Sequence, residues 1–260
     1  MGEKWDFPLV ERLPIKAIFT ESIGLTWQRK AELLRLAWPY LTAIFIATAF
    51  TSQISGTTEQ LIASLVITIT GAPGIVSCHR VFLLRHDEVL QLSAIRWSQR
   101  ETSYLRKALG LGFLMLLFLT PVLVGSYLLI FTGNFPSELT GLGIQPLILI
   151  IAFPGFYIVS RYSIILPATA LDEIRSARWA WRMSSGNGWR LVALIAFTPI
   201  IFNSLLNRLL NLIGEFLIVN LFYASTLTVL TVFEVCLISL SYAWLVTNNN
   251  AEDNVAKTKE

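Results

Sequence analysis

RKALGLGFLMLLFLTPVLVGSYLLIF, Arg106 to Phe131, decides the fold. Two cations open the stretch, and the 24 residues from Ala108 to Phe131 carry no charge. About 20 apolar residues suffice for one bilayer crossing. Lipid offers backbone amides no outside acceptor, so such a run must be helical. Working outward, five more apolar stretches follow the same rule: Ala37–Ile54, Gln60–Cys78, Pro146–Ile165, Trp189–Phe202 and Leu217–Val246. Counting Arg161 and Arg190, which sit at the ends of spans four and five, with the segment between those spans, the segments hold six, none, six, none, five, one and two Lys or Arg residues. Nineteen of the 20 cations therefore fall in alternate segments, and only Arg208 falls in the others. Short basic loops stay cytoplasmic. The expected fold is all-α: a polytopic inner-membrane protein with six transmembrane helices as three hairpins and both termini cytoplasmic. A cytoplasmic interfacial amphipathic helix precedes each hairpin. Residues 1–36 form the N-terminal segment, 37–246 the transmembrane domain and 247–260 a polar tail.

Composition agrees. At 54% hydrophobic, 14% charged and a mean hydropathy of +0.62, the chain lies outside the soluble range. The 260 residues are expected to leave no room for a separate soluble domain. The net charge of +3 is small, but its placement makes one face basic. That face should attract the anionic lipids of the inner leaflet. The cations flank membrane spans, which argues against nucleic acid. Cys78 and Cys236 make no disulfide framework. The polar start of the chain does not read as a cleaved signal, and Met1-Gly2-Glu3-Lys4-Trp5-Asp6 lacks the Ser or Thr of a myristoylation site.

The three basic segments look alike. The third places Ala170, Ile174, Ala177 and Trp181 on one helical face, Arg175, Arg178 and Arg182 on another, and a terminator at 184–188. The second places Leu90, Ala94, Trp97 and Tyr104 on one side, with Arg96, Arg100 and Lys107 around it. The first, Ile15 to Leu36, carries Phe19, Ile23, Trp27 and Leu34. A loose echo (Trp27, Lys30, Arg35; Trp97, Arg100, Arg106; Trp179, Arg182, Arg190) reads as three tandem units. All eight tryptophans, Trp5, Trp27, Trp38, Trp97, Trp179, Trp181, Trp189 and Trp244, belong to basic segments or adjoining span ends. Indole favours headgroup depth.

Five spans contain proline: Pro39, Pro73, Pro121, Pro154 and Pro199. Each frees a carbonyl that neighbours or local adjustment must satisfy. Span five is short, and the run NSLLNRLLNLIGE, Asn203 to Glu215, is expected to leave it as a surface or tilted amphipathic segment.

Residues Arg161 to Leu191 read RYSIILPATALDEIRSARWAWRMSSGNGWRL. Arg161, Pro167, Ala177, Ala180, Ser185, Gly186, Asn187, Trp189 and Arg190 resemble a pattern of the membrane domain associated with bacterial glycerophosphodiester phosphodiesterases, and of its stand-alone six-pass relatives. Cys78-His79-Arg80-Val81-Phe82-Leu83-Leu84 is similar to alphaproteobacterial members of that group. The resemblance implies architecture more than activity, because the phosphodiesterase chemistry belongs to a separate soluble domain.

Glu234 is the sharpest polar residue, about 18 Å from the basic end of span six. An intramembrane acid suggests a proton or cation relay, or a paired or protonated core residue, with Arg161 a candidate counter-ion. Arg161 could instead snorkel to headgroups or lock spans four and six. His79 and His86 read as interface histidines; no zinc spacing appears. Asp172-Glu173 are expected in the first turn of the third interfacial helix. No phosphate loop, nucleophile elbow or triad is present, and no cofactor or metal is expected. The expectation is a non-catalytic scaffold or accessory subunit. Its collar, Arg96, Arg100, Arg175, Arg178, Arg182, Trp97, Trp179 and Trp181, would contact lipid headgroups or a membrane complex. A small permease or ion-coupled transporter using Glu234 is the alternative.

Overall fold

A computed structural model describes residues 12–51, 57–93, 97–131, 145–212 and 217–258. The described residues are helical, with no strand. In chain order they form α1 (Ile15–Gln28), α2 (Lys30–Thr51), α3 (Thr57–Leu83), α4 (His86–Leu90), α5 (Gln99–Phe131), α6 (Gln145–Tyr162), α7 (Ile165–Ala170), α8 (Ala177–Met183) and α9 (Gly188–Leu191). A π-helical turn, Val192–Phe197, joins α9 to α10 (Thr198–Asn211), and α11 (Leu217–Thr258) completes the fold. Residues 55–56 and 132–136, expected to connect spans one to two and three to four, lie outside the described residues, as do Trp5, Ala94 and Arg96.

Five stretches are long and apolar enough to cross a membrane: Leu65–Leu83, Gln99–Pro121, Ile150–Ala170, Gly188–Leu210 and Leu221–Asn249. The first expected span is not among them. Its helix, α2, opens with Lys30, Glu32 and Arg35, and the described part stops at Thr51. The buried share of these stretches separates centre from periphery: 67% for the α11 stretch against 6% for that of α5. Helix α11 packs against α1, α2, α3, α7 and α10. Along the chain, α2 packs on α3 and α5 on α6. Glycine permits both approaches. A Cβ on Gly74 would lie 2.4 Å from Cβ of Tyr40, and one on Gly155 would lie 2.8 Å from Cβ of Phe118.

The core gathers at the basic end. Leu36, Val81, Phe82, Ile164, Leu237 and Trp244 are buried there. Toward the other end, Leu65, Phe113, Leu116, Ile150, Ile201 and Phe222 stand exposed on the outside of the bundle. Such apolar surface suits contact with lipid.

The expected interfacial helices are corrected in three places. The first breaks at Arg29, so Leu34 belongs to α2. The face of α1 that packs inward carries Ile18, Ser22 and Leu25, while Ile23 and Trp27 point out. In a membrane protein the outward face need be no more polar than the inward one. The second segment is the five-residue α4 followed by non-helical residues, so Leu90, Trp97 and Tyr104 share no helix face. The third divides into α7, whose six residues are all buried, and α8. Ala170 and Ala177 therefore lie on different helices, and Ile174 lies on neither. The terminator after Met183 forms as expected, with Gly186 at φ 73°.

Three ranges also differ. Thr57 to Glu59 already belong to α3. Helix α10 continues from span five to Asn211, so Asn203 to Asn211 prolong the helix and do not leave it. Helix α11 runs on past Val246 to Thr258. Pro199 accounts for the π turn. It lacks the N–H that would close the preceding turn, the helix widens over Val192–Phe197, and the Thr198 hydroxyl donates to the Ala193 carbonyl at 3.0 Å. The other four span prolines sit inside continuous helices.

Candidate functional site

At the basic end, the loop after α7 turns through Asp172, held at φ 64°. Asp172 thus follows a helix and does not start one, which corrects the expectation of a first-turn acid. One carboxylate oxygen accepts from Arg100 Nε at 2.7 Å and the other from Arg80 Nη1 at 3.4 Å. Arg80 also reaches the Ala170 carbonyl at 3.4 Å, and Lys107 Nζ donates to Thr169 Oγ1 at 2.7 Å. Cations from α3 and α5 therefore close on the end of α7, where cations suit the helix dipole. Arg35 ties α2 to α4 through the carbonyls of Val89 and Leu90, at 2.7 and 3.2 Å. Asn187 Oδ1 accepts from Leu13 N at 2.8 Å, and Arg190 Nη1 donates to the Leu13 carbonyl at 2.6 Å.

Arg161 is buried at the end of α6. Its Nε donates to Ser184 Oγ at 2.8 Å, and its Nη2 donates to the Trp181 carbonyl. Its guanidinium carbon sits 3.5 Å from the centre of the Trp181 ring. Hydrogen bonds in the plane and an aromatic ring on the face exploit both features of the guanidinium. This corrects two expectations: Arg161 locks α6 to α8, not to span six, and Glu234 is not its counter-ion. Glu234 is partly buried on α11 and makes no hydrogen bond or ion pair to a described residue.

His79 is not an interface histidine. It is fully buried, with Nδ1 2.7 Å from Ser239 Oγ and Nε2 3.2 Å from the Tyr104 hydroxyl. Ser239 gives its one proton to the Val235 carbonyl at 2.7 Å. Nδ1 must then carry the imidazole hydrogen and Nε2 accept from Tyr104. The chain of bonds links α3, α5 and α11. In the sequence only the placement of His79 beyond the last apolar residues of span two was visible. The partners, 25 and 160 residues away, were not.

The expected collar divides in two. Arg100 is held by Asp172, and Arg175 pairs with Glu173 at 2.9 Å while lying 5.1 Å from the Trp179 ring centre. Trp97 is half exposed, its indole N–H donating to Thr102 Oγ1 at 2.9 Å. Arg178 and Arg182 are exposed and pair with no described residue. No group of three potential ligands among the described residues could hold a metal, and the thiols of Cys78 and Cys236 are buried and free.

Several helices apolar enough to span a bilayer define the class: a multi-pass membrane protein. Comparison with protein-family models, curated proteins and solved structures finds no match to the chain.

Proposed function

We propose that the chain is a six-pass protein of a bacterial inner membrane, with three hairpins and cytoplasmic termini, that scaffolds or assists a membrane assembly without catalysis. Its basic collar engages anionic lipid headgroups. The observation that carries this reading is the pair Arg178 and Arg182. Both are exposed beside Trp181 and without a described carboxylate, at the end where the cations of the chain collect. A cation at an anionic surface contributes about 1 kcal/mol. The motif around Arg161 to Leu191 makes relatives of the phosphodiesterase-associated membrane domain the kin this reading favours. Quenching of collar tryptophans by brominated lipids in nanodiscs tests it. Anionic brominated lipid should quench more strongly than zwitterionic, and Arg178→Gln with Arg182→Gln should remove the difference. Labelling that puts cysteines introduced at Gly56 or Gly141 on the same side as Lys257 would overturn the topology.

A second reading is favoured by Glu234, an acid in a span with no described counter-ion. A permease using it would lose ion-coupled flux on Glu234→Gln in proteoliposomes. Unchanged flux would leave Glu234 a packing residue.

A further inference from the structure

A groove of about 730 Å³ opens on the side of the bundle between α2 and α11, its upper edge formed by the end of α1. Leu34, Trp38 and Phe45 supply one wall, and Val229, Val232 and Phe233 the other. Ser225 and Thr228 also face it, but their hydroxyls donate back to the carbonyls of Leu221 and Ala224, at 2.7 and 2.8 Å. A hydroxyl spent on its own helix offers a ligand little polarity. Thr26 and Thr42 line the groove as well, and the walls are otherwise apolar.

The basic end of the groove is different. Lys30 stands there with its ammonium 3.8 Å from the centre of the Trp27 ring, and it pairs with no described carboxylate. The adjacent Arg29 is taken by Glu32 at 3.0 Å. Phe233 packs edge-on to Phe19 of α1, with ring centres 5.4 Å apart, which places that end of the α11 wall beside α1. From Lys30 to Phe45 is about 22 Å at the rise of a helix, more than the roughly 15 Å of hydrocarbon in one leaflet. One end is cationic and the remainder is largely apolar, in the direction of the lipid chains.

We infer that this groove holds one anionic glycerophospholipid, its phosphate at Lys30 and an acyl chain along α2 and α11. The inference rests on the bilayer placement proposed above. The small-residue surface that close helix pairing uses is missing, since tryptophan, phenylalanine and leucine line the groove, which favours a lipid over a helix of a second copy or another protein. Trp27, 70% exposed and beside Lys30, stands where the headgroup would lie.

The test uses the full chain in nanodiscs of equal phosphatidylglycerol and phosphatidylcholine. Mild release and native mass spectrometry then count the lipids retained. The wild type should keep one phosphatidylglycerol. Lys30→Gln should reduce its preference over phosphatidylcholine about fivefold, the equivalent of one headgroup contact. Val229→Trp and, independently, Leu34→Trp should fill the groove and abolish retention of either lipid, while Val229→Ala retains it. An unchanged lipid ratio in Lys30→Gln, or full retention in both tryptophan variants, would overturn the inference. So would a wild-type dimer that both tryptophan variants dissolve without any change in bound lipid. Arg178→Gln with Arg182→Gln should leave the retained lipid in place. A failure of that pair to alter quenching would therefore count against the collar and not against the groove.

Discussion

His79 and Asp172 show how much a single side chain can conceal in a linear chain. Both stand next to charged or apolar neighbours that explain them locally, and both draw their bonds from segments far away in sequence. For His79 the contribution of those bonds is measurable. His79→Leu keeps the bulk but removes two interhelical hydrogen bonds, leaving the Tyr104 hydroxyl unpaired. Interhelical bonds in membrane bundles contribute about 0.6 kcal/mol on average and up to about 1.7, so the loss should be about 1–3 kcal/mol. Thermal unfolding in detergent checks it. Adding Tyr104→Phe to His79→Leu should recover part of the loss, because the orphaned hydroxyl is gone. Full additivity of the two substitutions would contradict the bond seen here. Asp172 was misplaced for a related reason. A helix-start reading considers only the residues that follow an acid, and the cations that hold Asp172, Arg80 and Arg100, precede it by 92 and 72 residues.

Among elements, the apolar runs were legible and the polar connections were not. Leu217–Val246 and Ala108–Phe131 could be read directly, because nothing but a helix satisfies a backbone in lipid. The segment at 165–183 could not. Its residues have helical spacing, but a turn at Leu171-Asp172 and a non-helical stretch to Ser176 cut that spacing in two, and the first half is buried. Glycine was equally silent. Gly74 looks like an ordinary small residue of a span, yet it is the point where α3 meets Tyr40 of α2. Gly74→Leu should force the helices apart and cost about 1–3 kcal/mol, as overpacking does. A pair of spin labels across α2 and α3 would report the separation as a longer distance. Gly24→Ala, where no atom lies within 4 Å of the added carbon, should leave α1 in place.

At the scale of the whole molecule, cation placement marks a basic end and says nothing of how unevenly the core is distributed. Buried side chains crowd that end, while α5 and the far half of α10 bury little. Local opening is cheapest where few buried contacts resist it. Hydrogen exchange in nanodiscs should therefore give slow amides from Val235 to Leu245 on α11 and faster ones from Leu221 to Val229. Uniform protection along α11 would contradict the packing. The outward apolar surface was foreseeable from hydropathy alone; the lateral groove needed three helices placed in space.

Leu13 is joined at its amide and its carbonyl to Asn187 and Arg190. A ribosome therefore has to add 174 residues after Leu13 before that residue can find its seat. Until then α1 lacks its docking partners, and a chaperone or protease can inspect it. Nascent chains halted before Asn187 should be cut near α1 by added protease, whereas chains halted beyond Trp244 should resist.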